Sequence, residues 1–298
     1  MEIAHIPVML EEVMEALKVK KNGIYLDGTV GLGGHAQGIL EKTGGECTII
    51  GIDQDSEAIE LAGERLNGSN VHLVRDDFLH MESVVRNLGY KEVDGIFLDL
   101  GVSTLQLKAG GRGFSFLKDE PLDMRMDQGQ RLTAADIVNK YPEKDLAHVL
   151  WQYGEERFSR KIARAIIDAR EIRPVTTCME LSQLIEKTVR RGGRHLSLSV
   201  RIHPATRTFQ ALRIEVNKEL TKLSMALHEG VNILGAGGRF CVLSYHSLED
   251  RIVKHSFRDM AQRGVVSIIT RKPLVPAKEE KELNPSSRSA KLRVAEKI

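Results

Sequence analysis

The chain has 298 residues, of which 42% are hydrophobic and 28% are charged, as is typical of a globular protein. One compact core seldom holds a chain of this length, so we expect about two domains. The formal net charge is only +2, so any nucleic-acid surface must come from local clusters of basic residues rather than from the overall charge.

Cysteine, histidine and apolar patterns narrow the class of protein. The three cysteines, Cys47, Cys178 and Cys241, form no C-x-x-C pair, which predicts reduced, buried thiols in a cytoplasmic protein. The ten histidines show no zinc spacing, so we predict no metal site. The first residues lack the basic stretch and apolar core of a signal peptide, and no segment approaches the roughly 18 apolar residues of a membrane span.

The first hundred residues alternate short apolar runs with helix-patterned stretches. Strands are predicted over residues 24–28, 47–53, 71–77 and 94–99. Helices are predicted over residues 35–42 and from Ser56, which we interpret as an N-cap. This alternation predicts an α/β fold with a parallel sheet whose faces are covered by helices.

The alternation stops after Gly101, and the next convincing strand begins at Gly238. A single crossover needs only about a dozen residues or slightly more, so we infer an inserted domain. Its pattern is helical over residues 133–141, 143–154, 159–172 and 178–191. The predicted organisation is a core over 1–107, an inserted helical domain for substrate recognition over 108–204, and the rest of the core over 205–298.

A long helix over residues 208–234 is predicted to lead back to the sheet. Its apolar stripe, expected to face the sheet, comprises Leu212, Val216, Leu220, Leu223 and Leu227. The remaining strands are predicted over residues 238–247, 265–270 and 291–296. Between the last two strands, the polar residues 277–290 are expected to form a mobile loop.

The glycine-rich stretch "GTVGLGGHAQGIL", residues 28–40, follows the first strand and opens a helix. Gly31, Gly33 and Ala36 fit the G-x-G-x-x-[GA] fingerprint of dinucleotide sites, in which the helix N-terminus faces a pyrophosphate. A similar loop holds the methionine part of S-adenosylmethionine in methyltransferases, and glycines permit the close approach in both cases. The loop alone leaves the choice between a hydride carrier and a methyl donor open.

Acidic residues at the predicted strand ends sharpen that choice. Asp53 ends the second strand, where a carboxylate accepts hydrogen bonds from ribose hydroxyls in either class. Asp77 and Phe78, after the third strand, suit the amine and ring face of adenine. Asp99 ends the fourth strand, beside the reactive end of such a ligand. Carboxylates on successive strands favour a cationic sulfonium over a pyrophosphate, although each Asp could also simply cap a helix.

Six stretches, in order along nearly the whole chain, carry a resemblance to a known family. They are "HIPVMLEEV" (5–13), "DGTVGLGGHA" (27–36), "DLGVSTLQL" (99–107), "HPATRTFQALRIEVNKEL" (203–220), "SYHSLEDRIVK" (244–254) and "NPSSRSAKLRVAE" (284–296). On these residues the chain closely resembles the RsmH/MraW family of bacterial methyltransferases, which make N4-methylcytidine at the decoding site of 16S ribosomal RNA.

The resemblance implies a class I methyltransferase fold, a Rossmann-like seven-stranded sheet with an inserted helical domain, and S-adenosylmethionine as methyl donor. The donor contacts that it implies fall on Gly33, Gly34, His35, Asp53, Phe78, Asp99 and Gln106. Of these, Gln106 is implied by the resemblance alone. The implied partner is 16S ribosomal RNA, within the assembled small subunit, and the oligomeric state, including a homodimer, stays open.

Many amino-methyltransferases carry [DNS]-P-P-[YF] after the fourth strand, whereas this chain, like the family, has "DLGVS". The groups that activate the cytosine amine are therefore less clear from the pattern. Asp99 is the best candidate acceptor for the amine protons, and the backbone carbonyls of residues 100–102 are alternatives. Ser103 and His246 either line the pocket or, more in keeping with their types, are structural.

A basic strip is predicted between residues 186 and 213, where seven cations accompany one acid, Glu186. The cations are Lys187, Arg190, Arg191, Arg194, Arg201, Arg207 and Arg213. Such a strip suits RNA phosphates, although a solvated charged face has the same composition.

Three other functions compete with RNA methylation. An NAD-dependent oxidoreductase needs a nicotinamide half-site, and no second strand-helix half follows the fourth strand. A non-catalytic RNA-binding assembly factor would not need the donor loop and the strand-end acids. A DNA cytosine-N4 methyltransferase would share the chemistry, and only the resemblance favours ribosomal RNA over DNA.

Overall fold

The computed structural model describes residues 6–68, 70–103, 105–106, 110–190 and 203–298. Residue contacts divide the chain into two compact units. The core unit comprises Met1–Leu105 and Leu220–Ile298, and the insert unit comprises Gln106–Glu219. The sequence pattern predicts an insert over residues 108–204. The predicted and observed inserts therefore begin within two residues of each other, but the observed insert ends later, at Glu219.

The core unit contains a seven-stranded sheet of order β3-β2-β1-β4-β5-β7-β6. The strands are β1 (Ile24–Asp27), β2 (Thr48–Asp53), β3 (Val71–Arg75), β4 (Val93–Asp99), β5 (Leu234–Ser244), β6 (Val266–Ile268) and β7 (Lys291–Lys297). The implied seven-stranded Rossmann-like sheet is confirmed. The four strands of the first hundred residues are parallel, as their alternation with helices predicts, whereas β7 runs antiparallel to both β5 and β6.

The α-helices of the described residues follow in chain order. They are α1 (Leu10–Ala16), α2 (Gly34–Thr43), α3 (Ser56–Arg65), α4 (Met81–Asn87), α5 (Ala134–Lys140), α6 (Glu143–Gly154), α7 (Ser159–Arg170), α8 (Cys178–Arg190), α9 (Thr206–Asn217), α10 (Glu219–Asn232), α11 (Ser247–Gln262) and α12 (Lys278–Leu283). Helices α5 to α8 match the four predicted in the insert to within two residues at each end.

The sheet is buried on both faces, as its near-continuous apolar strands require. Successive strand residues point to opposite faces. Leu26, Ile50 and Leu98 therefore pack on one side with residues of α4, α10 and α11. Tyr25 and Ile49 pack on the other side with residues of α1, α2 and α3. Each such fully buried side chain stabilises the fold by about 1.5–3 kcal/mol. The sheet therefore holds the residues at the ends of its strands in fixed positions.

The single long helix predicted over residues 208–234 is wrong. The chain forms α9 and α10, separated by Lys218, whose φ of 54° lies in the left-handed region. The side chain of Asn217 explains the break: its Oδ1 accepts from the Met126 N–H at 2.9 Å, and its Nδ2 donates to the Met124 carbonyl at 2.8 Å. The apolar stripe is divided accordingly, since Leu212 belongs to the insert unit and only its later members pack on the sheet.

Three smaller expectations are also wrong. The N-cap of α3 is Asp55, whose Oδ1 accepts from the Glu57 N–H at 3.2 Å, rather than Ser56. Strand β3 ends at Arg75, before Asp77. The predicted mobile loop over 277–290 instead forms α12 and a 3-10 helix, Pro285–Ser289.

Other expectations concern single residue types. Cys47, Cys178 and Cys241 are free and buried, as predicted. Burial raises the pKa of the Cys178 thiol to about 12, so the thiol stays protonated. Among the residues that the structure describes, no helix combines the length and the apolar character needed to cross a bilayer.

Candidate active site

Three carboxylates end neighbouring strands at one edge of the sheet. Asp27 ends β1, Asp53 ends β2 and Asp99 ends β4. Strands β2, β1 and β4 are adjacent and parallel, so their carboxyl ends lie together. The crevice outside such strand ends is where open α/β sheets bind their ligands.

The glycine loop connects β1 to α2 at this edge. Gly31 and Gly33 have φ values of 51° and 76°, a conformation that other residues adopt only with strain. A Cβ on Gly33 would also lie 2.9 Å from the Leu66 side chain. Gly33 is the N-cap of α2, and no side chain caps this helix. The first N–H groups of α2, those of Gly34 and His35, therefore have no partner within the helix and favour an anionic group.

Asp53 holds the glycine loop through its own hydrogen bonds. Its Oδ2 accepts from the Gly31 N–H and its Oδ1 from the Asp55 N–H, both at 2.9 Å. The carboxyl group is only partly exposed, and burial raises its pKa to about 6. It is therefore ionised at neutral pH and keeps lone pairs for further donors.

Asp27 supports the loop from beneath. It is 2% exposed, and its Oδ1 accepts from the Thr29 N–H at 3.1 Å. The Thr29 hydroxyl in turn accepts from the Asp99 N–H at 2.7 Å. Burial, with added repulsion from Asp99 and Asp53, raises the pKa of Asp27 to about 8, so its carboxyl group is largely protonated at neutral pH.

Asp99 is anchored by a residue from the other end of the chain. Its Oδ1 accepts a hydrogen bond of 2.7 Å from the hydroxyl of Tyr245, which follows β5. Burial and the neighbouring Asp99 raise the pKa of Tyr245 well above its usual value, so the phenol remains a donor. The Asp99 side chain is 20% exposed, which leaves it open to a ligand.

His35 faces the second oxygen of Asp99. The imidazole is 5% exposed, and burial lowers its pKa to about 4, so it is neutral. Its Nε2 lies 3.0 Å from the Val8 carbonyl, which only accepts, so the proton is on Nε2. Nδ1 and Asp99 Oδ2, 3.8 Å apart, are consequently two acceptors rather than an ion pair.

Asp77 has the capping role that was its alternative interpretation. Its Oδ1 accepts from the Leu79 N–H at 3.0 Å, and its Oδ2 pairs with Lys222 Nζ at 2.6 Å. Phe78 opens the short 3-10 helix after β3, where it is half-buried. A Cβ on Gly28 would lie 3.3 Å from the Phe78 Cβ, so the Phe78 side chain starts beside the glycine loop.

Two further sequence candidates are Gln106 and His246. Gln106 is buried and is the first residue of the insert unit. His246 is the N-cap of α11, where its side chain accepts from the Glu249 N–H while Glu249 accepts from the His246 N–H. The structural interpretation of His246 therefore holds.

The predicted basic strip is only partly as expected. The prediction that Arg213 binds phosphate is wrong, because its Nε and one terminal nitrogen donate to Glu219 at 2.9 and 2.8 Å. Lys187, Arg190 and Arg207 are exposed. The remaining members, Arg191, Arg194 and Arg201, lie outside the described residues.

Sequence reasoning missed Tyr245 and Thr29. The predicted fifth strand ran through Tyr245 and hid it inside a sheet, whereas β5 ends at Ser244. Its position beside Asp99 could have revealed Tyr245. Leu243 pairs with Asp99 in the sheet, and Tyr245, two residues later, reaches the same edge. Using that signal requires the strand order, which the local pattern does not contain.

Comparison with known proteins identifies the family of the chain. The model of the MraW methylase family matches residues 2–298. A protein of Clostridium botulinum (strain Kyoto / Type A2) named "Ribosomal RNA small subunit methyltransferase H" is 46% identical over the full length of both chains. Proteins of the same name from Caldicellulosiruptor saccharolyticus and Dehalococcoides mccartyi are 47% and 49% identical, covering 99% and 100% of this chain and 99% and 87% of their own.

Because the family model covers nearly the whole chain and these relatives match it from end to end, the chain belongs to the MraW methylase family.

Proposed function

We propose that this methyltransferase transfers a methyl group from S-adenosylmethionine to the N4 amine of one cytidine in the decoding region of 16S ribosomal RNA. Membership of a methylase family makes the chain an enzyme, and the relatives' shared name directs it to small-subunit ribosomal RNA. The observation that supports this chemistry best is the Asp99 carboxylate, fixed by Tyr245 and open beside the neutral His35.

S-adenosylmethionine is the donor, and the chemistry of the strand-end residues fits it. Within the described part of the chain, the ionised carboxylate of Asp53 has no ion-pair partner, so this edge favours a cationic ligand. The uncapped N-terminus of α2 suits the donor's carboxylate, and Asp53 suits its ribose hydroxyls. The residues that we assign to donor binding are Gly33, Gly34, His35, Asp53, Phe78, Asp99 and Gln106.

The bound donor supplies an electrophilic methyl group on a sulfonium. The chain must improve the nucleophile, because the lone pair of the cytosine N4 amine is conjugated into its ring. Asp99 accepts a hydrogen bond from this amine, which localises the lone pair on nitrogen. The hydroxyl of Tyr245 fixes the carboxylate, and positioning of the two reactants contributes much of the remaining rate.

We assign substrate recognition to the insert unit. Its exposed cations include Lys187, Arg190 and Arg207, which suit RNA phosphates. A cytosine amine is reached in single-stranded or splayed-out nucleotides, and the proposed substrate is the assembled small subunit. The three free, buried cysteines fit a reducing cytoplasm, and a homodimer is compatible with the proposal.

The competing functions differ in what they require of the site. An assembly factor without catalysis gains nothing from a carboxylate held at 2.7 Å by a tyrosine. A DNA methyltransferase would use the same chemistry, so only a comparison of RNA and DNA substrates distinguishes it from an RNA methyltransferase.

The test is transfer of labelled methyl from S-adenosylmethionine to small ribosomal subunits of a strain lacking this protein, with mass mapping of the product. Free 16S ribosomal RNA and DNA of the same sequence run alongside. We expect label at N4 of one decoding-region cytidine, in subunits and not in DNA. Label at another atom or in DNA would overturn the assignment, and absence of label despite measured donor binding would favour the assembly factor.

A further inference from the structure

A second site lies on the core unit, where two sequence stretches singled out by the resemblance meet. A cavity of about 180 Å³ opens between α11, the residues after β6, and β7. We call it the basic pocket; its lining is Lys254, Phe257, Arg258, Ile268, Thr270, Arg271 and Arg293. Four of these seven side chains are cationic, and none is acidic.

Arg293 is the fixed element of the basic pocket. It is 7% exposed, and its Nε donates to Asp250 Oδ1 at 2.6 Å. Within the described ranges, its two terminal nitrogens have no hydrogen-bond partner. A buried guanidinium that lines a cavity with these donors free is suited to an anion.

Asp250 does not neutralise the basic pocket. Its carboxylate is shared by Arg293 and by Lys291, whose Nζ lies 3.4 Å from Oδ2. Burial disfavours the carboxylate, but these two cations outweigh it and lower the pKa of Asp250. One negative charge between two cations leaves this end of the cavity positive.

The other cations add to that charge. Lys254, Arg258 and Arg271 form no ion pair with any described residue. The acid nearest in sequence to Arg258, Asp259, is already paired with Arg263 at 2.9 Å. In addition, Thr270 Oγ1 accepts from the Val294 N–H at 2.8 Å, which leaves its hydroxyl proton for a ligand.

The size of the cavity limits what the cations bind. Small-molecule sites commonly measure about 300–1,000 Å³, so 180 Å³ is too small for a whole nucleotide or for the methyl donor. Phe257, 2% exposed, forms an apolar wall that makes no hydrogen bond. A single phosphate group with its attached atoms matches both the volume and the charge.

The register of the sheet relates Arg293 of the basic pocket to Asp99. In the register of the sheet, Asp99 pairs with Leu243, and Leu243 pairs with Leu292, the neighbour of Arg293. Two strand spacings of about 4.8 Å therefore place the backbone of Leu292 roughly 10 Å from that of Asp99. Arg293 follows Leu292, and because successive side chains of a strand point to opposite faces, it lies on the face of the sheet that packs against α11. A phosphate bound there belongs to a different nucleotide from the one whose base reaches Asp99.

We propose that the basic pocket binds a backbone phosphate of the RNA substrate outside the nucleotide that is methylated. The inference rests on the proposed function and adds a recognition site on the core unit to the cations of the insert. Phosphate contacts fix the register of a nucleic acid without reading its sequence, so the basic pocket orients the strand at Asp99.

A larger cavity elsewhere in the core unit lacks these properties. It measures about 580 Å³ and lies between α2, the end of α3 and the start of β3. Its cation, Arg65, donates to the Leu32 carbonyl, and its acid, Glu41, accepts from Gln37. Because this cavity has one cation and one acid, and both already form hydrogen bonds, it shows no preference for an anion.

The test compares two double variants in binding a fluorescent 16S decoding-region RNA between 50 and 200 mM potassium chloride. Arg258→Ala/Arg271→Ala removes two exposed cations of the basic pocket. Lys21→Ala/Arg86→Ala is the matched control: it removes two exposed cations of the core unit, each paired with an acid and neither lining the basic pocket. Donor affinity and thermal unfolding are measured for both.

We expect the first variant to bind RNA more weakly and to lower the slope of log K against log salt by about 0.7–0.9 for each phosphate that the protein no longer neutralises. The control variant should keep the wild-type slope, and both should bind the donor as the wild type does. Arg258→Lys/Arg271→Lys, which keeps the charges, should restore most of the affinity.

Three results would contradict the proposal. If the first variant keeps the wild-type RNA affinity and salt slope, and the wild type methylates its substrate, then the proposal for the basic pocket is wrong but the proposed function stands. If inorganic phosphate stabilises the wild type but not the first variant while the RNA slope stays the same, the pocket binds a free anion and the proposal fails. If the wild type binds no RNA, both the pocket and the proposed function fail.

Discussion

The hydroxyl of Tyr245 donates to Asp99 Oδ1 at 2.7 Å and joins residues 146 positions apart in the chain. Tyr245 is itself fixed, because its N–H donates to Glu249 Oε2 at 2.8 Å in the first turn of α11. The orientation of the Asp99 carboxylate therefore depends on the turn between β5 and α11.

Asp99→Asn should lower kcat by about 10²–10³, the usual effect of losing one well-placed electrostatic group. The amide still accepts from Tyr245, but its weaker acceptor no longer localises the lone pair of the amine. The affinity for S-adenosylmethionine should change by much less. Both quantities are measured with small subunits as substrate.

Asp94→Asn is the control for this substitution, since Asp94 lies on the same strand at its opposite end. Its Oδ2 accepts from the Ile24 N–H at 2.9 Å, which an amide oxygen also does. We expect kcat to be unchanged. Equal losses of kcat and donor affinity in Asp99→Asn would show that Asp99 only binds the donor.

Tyr245→Phe should lower kcat about tenfold, because a hydrogen bond to a charged group contributes about 1.5–3 kcal/mol. The KM for the donor should change little if Tyr245 acts by positioning Asp99. Tyr90→Phe is a matched control: its hydroxyl faces His72 Nε2 at 3.2 Å, away from Asp99. If both variants lower kcat equally, the Tyr245 hydroxyl has no specific role.

The local pattern was enough to predict the strands and most helices, but not every boundary. Apolar runs and turn residues mark β1 to β4 and the helices of the insert directly. The break at Lys218 has no such mark, because no glycine or proline stands there. It follows from hydrogen bonds between Asn217 and a segment about 90 residues earlier, which a sequence window does not contain.

The same limit applies to the candidate site. Asp53 and Asp99 were predicted as strand-end acids because a strand end is a local property. Tyr245 was not predicted, because its role comes from the neighbouring positions of β4 and β5 in the sheet. The protonated state of Asp27 was also beyond the pattern, since it depends on burial beneath the glycine loop.

The affinity for S-adenosylmethionine should depend on pH through Asp53. Burial raises the pKa of this carboxyl group to about 6, so it loses its charge as the pH falls below 6. We expect the Kd to rise below pH 6, approaching tenfold per unit. His35, with a pKa of about 4, stays neutral over this range.

Asp53→Asn should bind the donor more weakly at pH 7.5 and lose the change centred near pH 6. Calorimetric titration from pH 5 to pH 8 measures both proteins. A wild-type Kd that is constant down to pH 5 would contradict a role for the Asp53 carboxylate in donor binding.

Gly33→Ala should weaken both folding and donor binding. Its φ of 76° costs an alanine about 1–2 kcal/mol, and the added Cβ would lie 2.9 Å from Leu66. Gly44→Ala separates the two effects, because Gly44 also has a positive φ, 65°, but no atom within 4 Å of its Cβ position. We expect Gly44→Ala to cost only the backbone strain and to leave donor affinity unchanged. Equal results for the two variants would show that the contact with Leu66 has no effect.

Asp27→Asn should stabilise the protein increasingly as the pH rises from 5 to 8. The pKa of Asp27 is about 8 in the folded chain and about 3.8 in the unfolded chain. In this window the folded state holds the proton and the unfolded state does not, so the wild type loses up to about 1.4 kcal/mol per pH unit. Asparagine keeps an acceptor for the Thr29 N–H without titrating. Urea unfolding at pH 5 and pH 8 measures the difference, and parallel profiles would mean that Asp27 is ionised in the folded protein.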